Sequence, residues 1–306
     1  MPSRDMIVAV AGGTGFIGSA IVRRLLGAGY RVRILTRDPS RARQHFASSQ
    51  IDFFRADLTD PRSLGVPLAG VGAIVAAAQF DGYPVENPRR GLTFERVDYA
   101  GTRALIEMAD QRTISHFVYI SGAGADASSG HPAFRAKGRA ENAVRNAGIQ
   151  FTVFRPGLTY GPGDRVIAMF ARMLRFSPLF VVPGDGRQRL QPLLVDDLAE
   201  CVTMALDGHG RNGVFEIGGP ETMTFDELIE LLMEVTGRQR LIVHAPSGML
   251  KAVGAVAEIM PARFFSRDAA DFLIADRLCD NRPLLDAFKI SLTPARTGMK
   301  YLAASS

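Results

Sequence analysis

Two periods of apolar residues alternate along the 306-residue chain. Short apolar runs read as buried strands, and the stretches after them carry apolar residues three and four apart, as amphipathic helices do. Ile7–Ala11 is the first strand. The helix after it sets Ile17, Ile21, Leu25 and Leu26 on one face and stops at Gly27-Ala28-Gly29. Further strands are predicted over 31–37, 51–58, 73–78, 116–121, 151–157 and 214–219. Helices are predicted from Phe94 to Gln111, with Val97, Ala104, Leu105 and Met108 inward; around Lys137; from Arg165 to Phe176, opened by Asp164; after Val195, capped by Asp196 or Asp197; and from Thr224 through Val235, with a capping box. Residues 79–93 form a long Pro/Gly loop, of a length that usually carries function, expected to overhang the active-site edge.

Strand alternating with helix predicts an α/β fold, a Rossmann-type doubly wound parallel sheet. The expected division is a dinucleotide-binding core over 1–160, to which 189–219 returns, and a smaller C-terminal substrate lobe over 161–306. Between the first strand and helix lies Gly12-Gly13-Thr14-Gly15-Phe16-Ile17-Gly18. Gly12 permits the tight turn, Gly15 lets backbone approach a pyrophosphate, and Gly18 lets the helix pack on the strand. The helix N-terminus offers free N–H groups to the phosphates.

The end of the second strand bears on the cofactor. An acidic residue there would bond the ribose 2′-hydroxyl of NAD. Arg37 stands in its place, Asp38 follows one step late, and Arg41 and Arg43 come next. Guanidinium forks suit a 2′-phosphate. NADP(H) is therefore the expected cofactor, and NAD(H) stays open because Asp38 can swing back. The small residues Ala76, Ala77 and Ala78 let a ribose lie over the sheet edge.

Composition narrows the remaining classes. Hydrophobic residues are 47% of the chain and charged residues 22%, enough for a sizeable core. Cys201 and Cys279, both in helix-like surroundings, make no disulfide framework, and the five histidines show no metal spacing. No leader is expected before the first strand, and no apolar run is long enough to span a bilayer. A cytoplasmic protein is expected, with peripheral membrane association as an alternative. The net charge is +5. Its arginine clusters at 37–43, 89–90 and 187–189 lack interleaved aromatics, which argues against nucleic acid. A phosphorylated cofactor, an acidic membrane or a partner subunit fits the charge as well.

Gly-Gly-Thr-Gly-Phe-Ile-Gly resembles the short-chain dehydrogenase/reductase superfamily, in its extended and atypical branches. The resemblance runs over nearly the whole chain. It implies that Asp57 bonds the adenine amino group and that Leu58 lies against the ring. Read without it, Asp57 is an N-cap for a helix near Pro61. It implies that Ser121 bonds the substrate oxygen and that the backbone of Pro156, Gly157 and Leu158 meets the nicotinamide. Lys137, with Glu141 one turn on, matches the lysine of Tyr-x-x-x-Lys, which bonds the cofactor ribose and lowers the tyrosine pKa. The tyrosine position is Ala133, and its neighbour Phe134 has no hydroxyl. A methyl group transfers no proton, so slow turnover of simple ketones and alcohols is expected, with Ala133→Tyr as the restoring change. Tyr99, Tyr160 or His131 could substitute, and spacing singles out none of them. Extended members often carry histidine where Leu194 stands, so this pocket is more apolar.

Residues 79–88, 97–102 and 266–268 resemble one atypical branch. It contains the nucleotide-binding accessory subunit of respiratory complex I and its bacterial relatives. Two functions follow: an NADP(H) oxidoreductase on an apolar small molecule, or a non-catalytic nucleotide-binding structural or assembly factor. Residues 247–265 carry Met249, Val253, Val256 and Met260 at helical spacing, with Lys251 and Arg263 alongside. They are expected to pack on the substrate lobe, with membrane or partner docking as the alternative.

Overall fold

A computed structural model describes residues 6–46, 48–245 and 278–305. The expectations for 247–265 and 266–268 lie outside the described residues.

The central sheet takes β1 (Ile7–Ala11), β2 (Arg31–Thr36), β3 (Ile51–Arg55), β4 (Ala73–Ala76), β5 (His116–Ile120) and β6 (Phe151–Pro156) from the first half of the chain. Of the later strands, β7 (Thr159–Tyr160) pairs with β10 (Leu193–Leu194), β8 (Leu179–Pro183) with β13 (Leu241–Ala245), and β9 (Arg189–Leu190) with β12 (Met223–Thr224). β11 (Gly213–Ile217) joins the central sheet, whose order is β11-β6-β5-β4-β1-β2-β3, all parallel. Both faces of the sheet are covered. Val8 and Val10 enter one apolar core, Ala9 and Ala11 the other, as the two-residue strand period requires.

The helices are α1 (Phe16–Gly27), α2 (Pro39–His45), α3 (Gly65–Leu68), α4 (Gly101–Met108), α5 (Pro132–Arg145), α6 (Val166–Phe176), α7 (Val195–Leu206) and α8 (Phe225–Thr236), with a further helix over Arg282–Phe288. In α1, Ile21 and Leu25 are fully buried and Ile17 and Leu26 pack against the same core. α8 begins with the expected capping box between Thr224 and Glu227. Asp164 accepts from the N–H groups of Ile167 and Ala168 and so opens α6.

Several expectations are corrected. β3 stops at Arg55 and β4 at Ala76, so Asp57, Leu58, Ala77 and Ala78 lie beyond the ladder, in the loops over the sheet edge. The segment after Phe94 opens with a π-helical stretch, Glu95–Ala100. Its wider turn shifts the phase of the apolar stripe; Ile106 is buried, while Met108 is 38% exposed rather than inward. Asp57 caps no helix: its carboxylate accepts from the N–H and hydroxyl of Thr59, and Asp60 caps the short turn at Pro61. Neither Asp196 nor Asp197 caps α7, whose N-cap is Leu194. Asp197 instead accepts from the Thr293 N–H and hydroxyl, at 2.7 and 2.8 Å. Cys201 lies on α7, whereas Cys279 lies in irregular chain. Burial pushes both thiols up to about 12, so neither is a ready nucleophile.

Candidate functional site

The strand order reverses between β4 and β1, the place where open α/β sheets leave a crevice at the carboxyl ends of their strands. Gly12 has φ +82°, and a Cβ there would lie 2.6 Å from the Ala77 carbonyl oxygen. The glycine turn is thus held against the end of β4, and only glycine fits. A Cβ on Gly18 would collide with the Gly12 carbonyl. Gly15 is the α1 N-cap and supplies no side-chain cap, so the first-turn N–H groups at Phe16 and Ile17 are left for a ligand. Thr14 and Gly15 are exposed and Phe16 and Ile17 half-buried, which makes the turn reachable. This cradle fits a dinucleotide pyrophosphate.

Arg37 follows β2 directly, and Arg41 lies in the first turn of α2; both are exposed. Asp38 is engaged elsewhere, accepting from the Arg41 N–H at 3.0 Å as the α2 N-cap. Leu58 packs against α4, where a Cβ on Gly101 would lie 2.9 Å from its own. On the other side of the crevice, Ala123 N–H donates to the Pro156 carbonyl and Gly157 N–H to Ile217, fixing the turn that carries Leu158. Gly163 approaches the Phe16 ring, so this second loop meets the glycine turn.

The residues expected at the catalytic positions are engaged with other residues of the chain. Ser121, 4% exposed, donates its hydroxyl to Glu141 Oε1 at 2.6 Å. Glu141 in turn takes a two-pronged contact from Arg155, at 2.8 and 2.7 Å. That partnership raises the Arg155 pKa above its ordinary value. Lys137 Nζ lies 3.1 Å from Asp98 Oδ1, and both side chains are buried. Burial is the largest single influence and presses the ammonium towards its neutral form, but the Asp98 charge and contact together with smaller neighbouring contributions outweigh it, and the lysine pKa rises above its usual range. Burial also pushes the Asp98 carboxyl upward, against the pull of Lys137. These two shifts favour opposite states of the carboxylate. We take the pair as ionised, because a neutral Asp98 would leave an ammonium alone in the interior. Asp98 is the site residue that sequence reasoning missed. Its one signal was an acid within Val97–Thr102, three residues ahead of the Gly101 contact to Leu58.

Ala133, where the resemblance places the tyrosine, is 6% exposed. It shares an apolar cluster with Phe80, Leu92, Phe94, Val97 and Ala136, with Tyr83 packed against it. Phe80 and Phe94 meet edge to face at 5.0 Å, and Tyr83 lies 5.5 Å from Phe94 and 5.6 Å from Phe80. The 79–93 loop therefore folds down onto α5 as an aromatic plug. Of the three expected substitutes, Tyr99 packs against this same cluster, while His131 and Tyr160 have other neighbours. Tyr99 lies under the Arg139 guanidinium at 3.9 Å, His131 stacks near Phe134, and Tyr160 is fully buried in the C-terminal core. Tyr83, from the loop, and Tyr99 are the phenols that pack against the cluster holding the plugged position. The described residues contain no cluster fit for a metal ion.

A family model described as the NAD dependent epimerase/dehydratase family matches residues 8–218. This chain belongs to that family. It is 27% identical over 298 residues to the NADH dehydrogenase [ubiquinone] 1 alpha subcomplex subunit 9 of Arabidopsis thaliana mitochondria, covering 91% of this chain and 72% of that one. It is 28% identical over 234 residues to an NAD(P)H azoreductase of Xenophilus azovorans, covering 76% and 74%. The fold matches Thermus thermophilus UDP-glucose 4-epimerase, solved in complex with NAD, with a TM-score of 0.74 and 22% identity over 98% of both chains. Membership makes the crevice an NAD(P)-type nucleotide site, and relatives include both a subunit of a large complex and an enzyme. No helix among the described residues is long and apolar enough to cross a membrane.

Proposed function

We propose that this chain holds NADP(H) as a bound nucleotide and turns it over slowly, as a component or assembly factor of a larger protein complex. One observation carries the reading: every catalytic position is internally satisfied. Ser121 spends its proton on Glu141, Lys137 is paired with Asp98, and Ala133 lies beneath the aromatic plug. The glycine turn and the α1 first turn would hold the pyrophosphate, Asp57 and Leu58 the adenine, Ala76 to Ala78 and Lys137 the nicotinamide ribose. Pro156, Gly157 and Leu158 would hold the nicotinamide. The Lys137 ammonium stays against the Asp98 charge and has N–H donors to turn to the ribose hydroxyls. When bound, the nucleotide supplies hydride chemistry. The family relation to the complex I subunit supports the holding role.

Arg37 and Arg41 support the preference for NADP(H), since Asp38 is tied to its helix cap. Fluorescence titration tests this. NADPH binds the wild type more tightly than NADH, and Arg37→Ala weakens NADPH by about 1–3 kcal/mol while leaving NADH nearly unchanged. Equal affinities for the two cofactors in both proteins would sink the preference.

A second reading has one observation in its favour. Tyr83 packs against the cluster that contains Ala133, on the loop that covers α5. Its phenol could then donate the proton that an apolar carbonyl needs on reduction. Ala133→Tyr alone overpacks the plug, because Phe80, Phe94 and Tyr83 already fill the space. Assays with NADPH and a panel of ketones, quinones and azo dyes separate the readings. Turnover far below the ~10 per second of ordinary enzymes supports the holding role. Brisk turnover that collapses in Tyr83→Phe, with NADPH affinity unchanged, supports the reductase.

A further inference from the structure

The outer face of the C-terminal lobe is apolar where a solvated face should be polar. In β8, Phe180 and Val182 point into the lobe core, while Leu179 and Val181 are 40% and 41% exposed. β13 pairs with it in the register Leu241 to Leu179 and Val243 to Val181. Leu241 and Val243 therefore share that outer face, at 68% and 39% exposure. A two-stranded ribbon with one face in water ordinarily alternates apolar with polar. Helix α6 repeats the pattern. Ile167, Phe170 and Leu174 are buried, and Met169, Met173 and Phe176 fall at i, i+4 and i+7 on the outside. Phe176, 75% exposed, ends α6 three residues before Leu179 begins the ribbon. Seven of the ten large apolar side chains exposed among the described residues lie on these three elements.

The charge along α6 has one sign, although Asp185 beyond β8 and Glu230 on α8 are exposed acids. Arg165, Arg172 and Arg175 are exposed on and beside α6, and no acid lies between Arg165 and Phe176. The Arg175 guanidinium sits 5.5 Å from the Phe176 ring. Arg238 and Arg240 lead into β13, and Arg240 is tied to the Leu174 carbonyl at 2.8 Å. Of the acids on α8, Glu234 is engaged with Arg296, Asp226 with His244 and Glu227 with the Thr224 cap. A second copy would bring an equally basic rim against this one and be repelled. Apolar side chains ringed by arginine match a bilayer interface with anionic headgroups instead.

We propose that α6 and the β8–β13 ribbon form a docking face for an anionic lipid surface, into which Phe176 and Leu241 insert while Arg172 and Arg175 meet the headgroups. This face is separate from the nucleotide crevice, and the proposal stands whether or not the nucleotide turns over.

Vesicle flotation of the full chain tests it. The protein floats with vesicles rich in phosphatidylglycerol at low salt and stays at the bottom with pure phosphatidylcholine. Arg172→Glu with Arg175→Glu weakens binding by about tenfold or more, since each basic residue near the surface contributes about one kcal/mol. Phe176→Glu with Leu241→Glu abolishes it. NADPH titration and circular dichroism of each variant, unchanged from wild type, establish that the fold and the crevice are intact. Absence of flotation with the phosphatidylglycerol vesicles overturns the proposal. So does flotation that survives both double variants. Concentration-dependent dimerisation lost in Phe176→Glu/Leu241→Glu, without flotation of the wild type, assigns the face to a second copy and also overturns it.

Discussion

Asp98→Ala loses about 3–5 kcal/mol of stability, read as a lower midpoint in urea unfolding. The substitution leaves the Lys137 ammonium in a buried site with its 3.1 Å partner removed. A buried charge without a counter-charge is among the few single changes that cost this much. The cost belongs to the orphaned lysine rather than to the pair, which fixes the control. Asp98→Leu with Lys137→Met removes both charges and recovers most of the loss, because a buried pair replaced by apolar groups of similar volume is close to neutral. Nucleotide affinity behaves differently. It stays low in the double variant if Lys137 reaches the ribose, and it returns with stability if Lys137 is only structural. A single variant as stable as wild type would mean that Lys137 finds water or another partner, and the ionised pair would be the wrong description.

Acid destabilises this fold through His116 before most carboxylates titrate. His116 is 4% exposed on β5, and its Nε2 lies 2.9 Å from the Thr152 hydroxyl oxygen. Thr152 donates its own proton to the Gly210 carbonyl at 3.1 Å, so it accepts from His116, and the imidazole is neutral. Burial, helped by the nearby Arg211, lowers its pKa from 6.5 to about 4. The unfolded chain therefore takes up a proton first. This contribution is fully present above pH 6.5 and is lost as the pH falls towards 4. The loss amounts to about 3 kcal/mol over that interval, and none is added below it. Stability measured against pH in wild type and His116→Gln isolates the effect. The two curves converge as the pH falls, since the variant has no proton to gain. Parallel curves would show that the imidazole stays accessible to protons in the native state.

The glycine turn was legible because its chemistry is local. A strand, a turn needing positive φ at Gly12 and a helix needing close approach at Gly18 fall within eighteen residues, and each requirement writes itself as a residue type. The same holds for the capping box at Thr224 and for the strands buried on both faces. Arg37 and Asp38 were legible as neighbours, although only the structure gave Asp38 its place as the α2 cap.

The occupancy of the catalytic positions was decided by tertiary structure. Ser121 and Glu141 are 20 residues apart, Lys137 and Asp98 39 apart, and Tyr83 reaches the Ala133 cluster from a loop that sequence reading placed over the active-site edge without naming its contacts. A carboxylate pairs with whichever cation the packing brings within reach, and no periodicity encodes that choice. Sequence thus determined that a glycine turn of the nucleotide-binding type exists and that alanine stands at position 133. Folding decided what filled the gap. Burial in a low-dielectric interior makes a partner within the protein worth most to the charged groups of α5, Lys137 and Glu141.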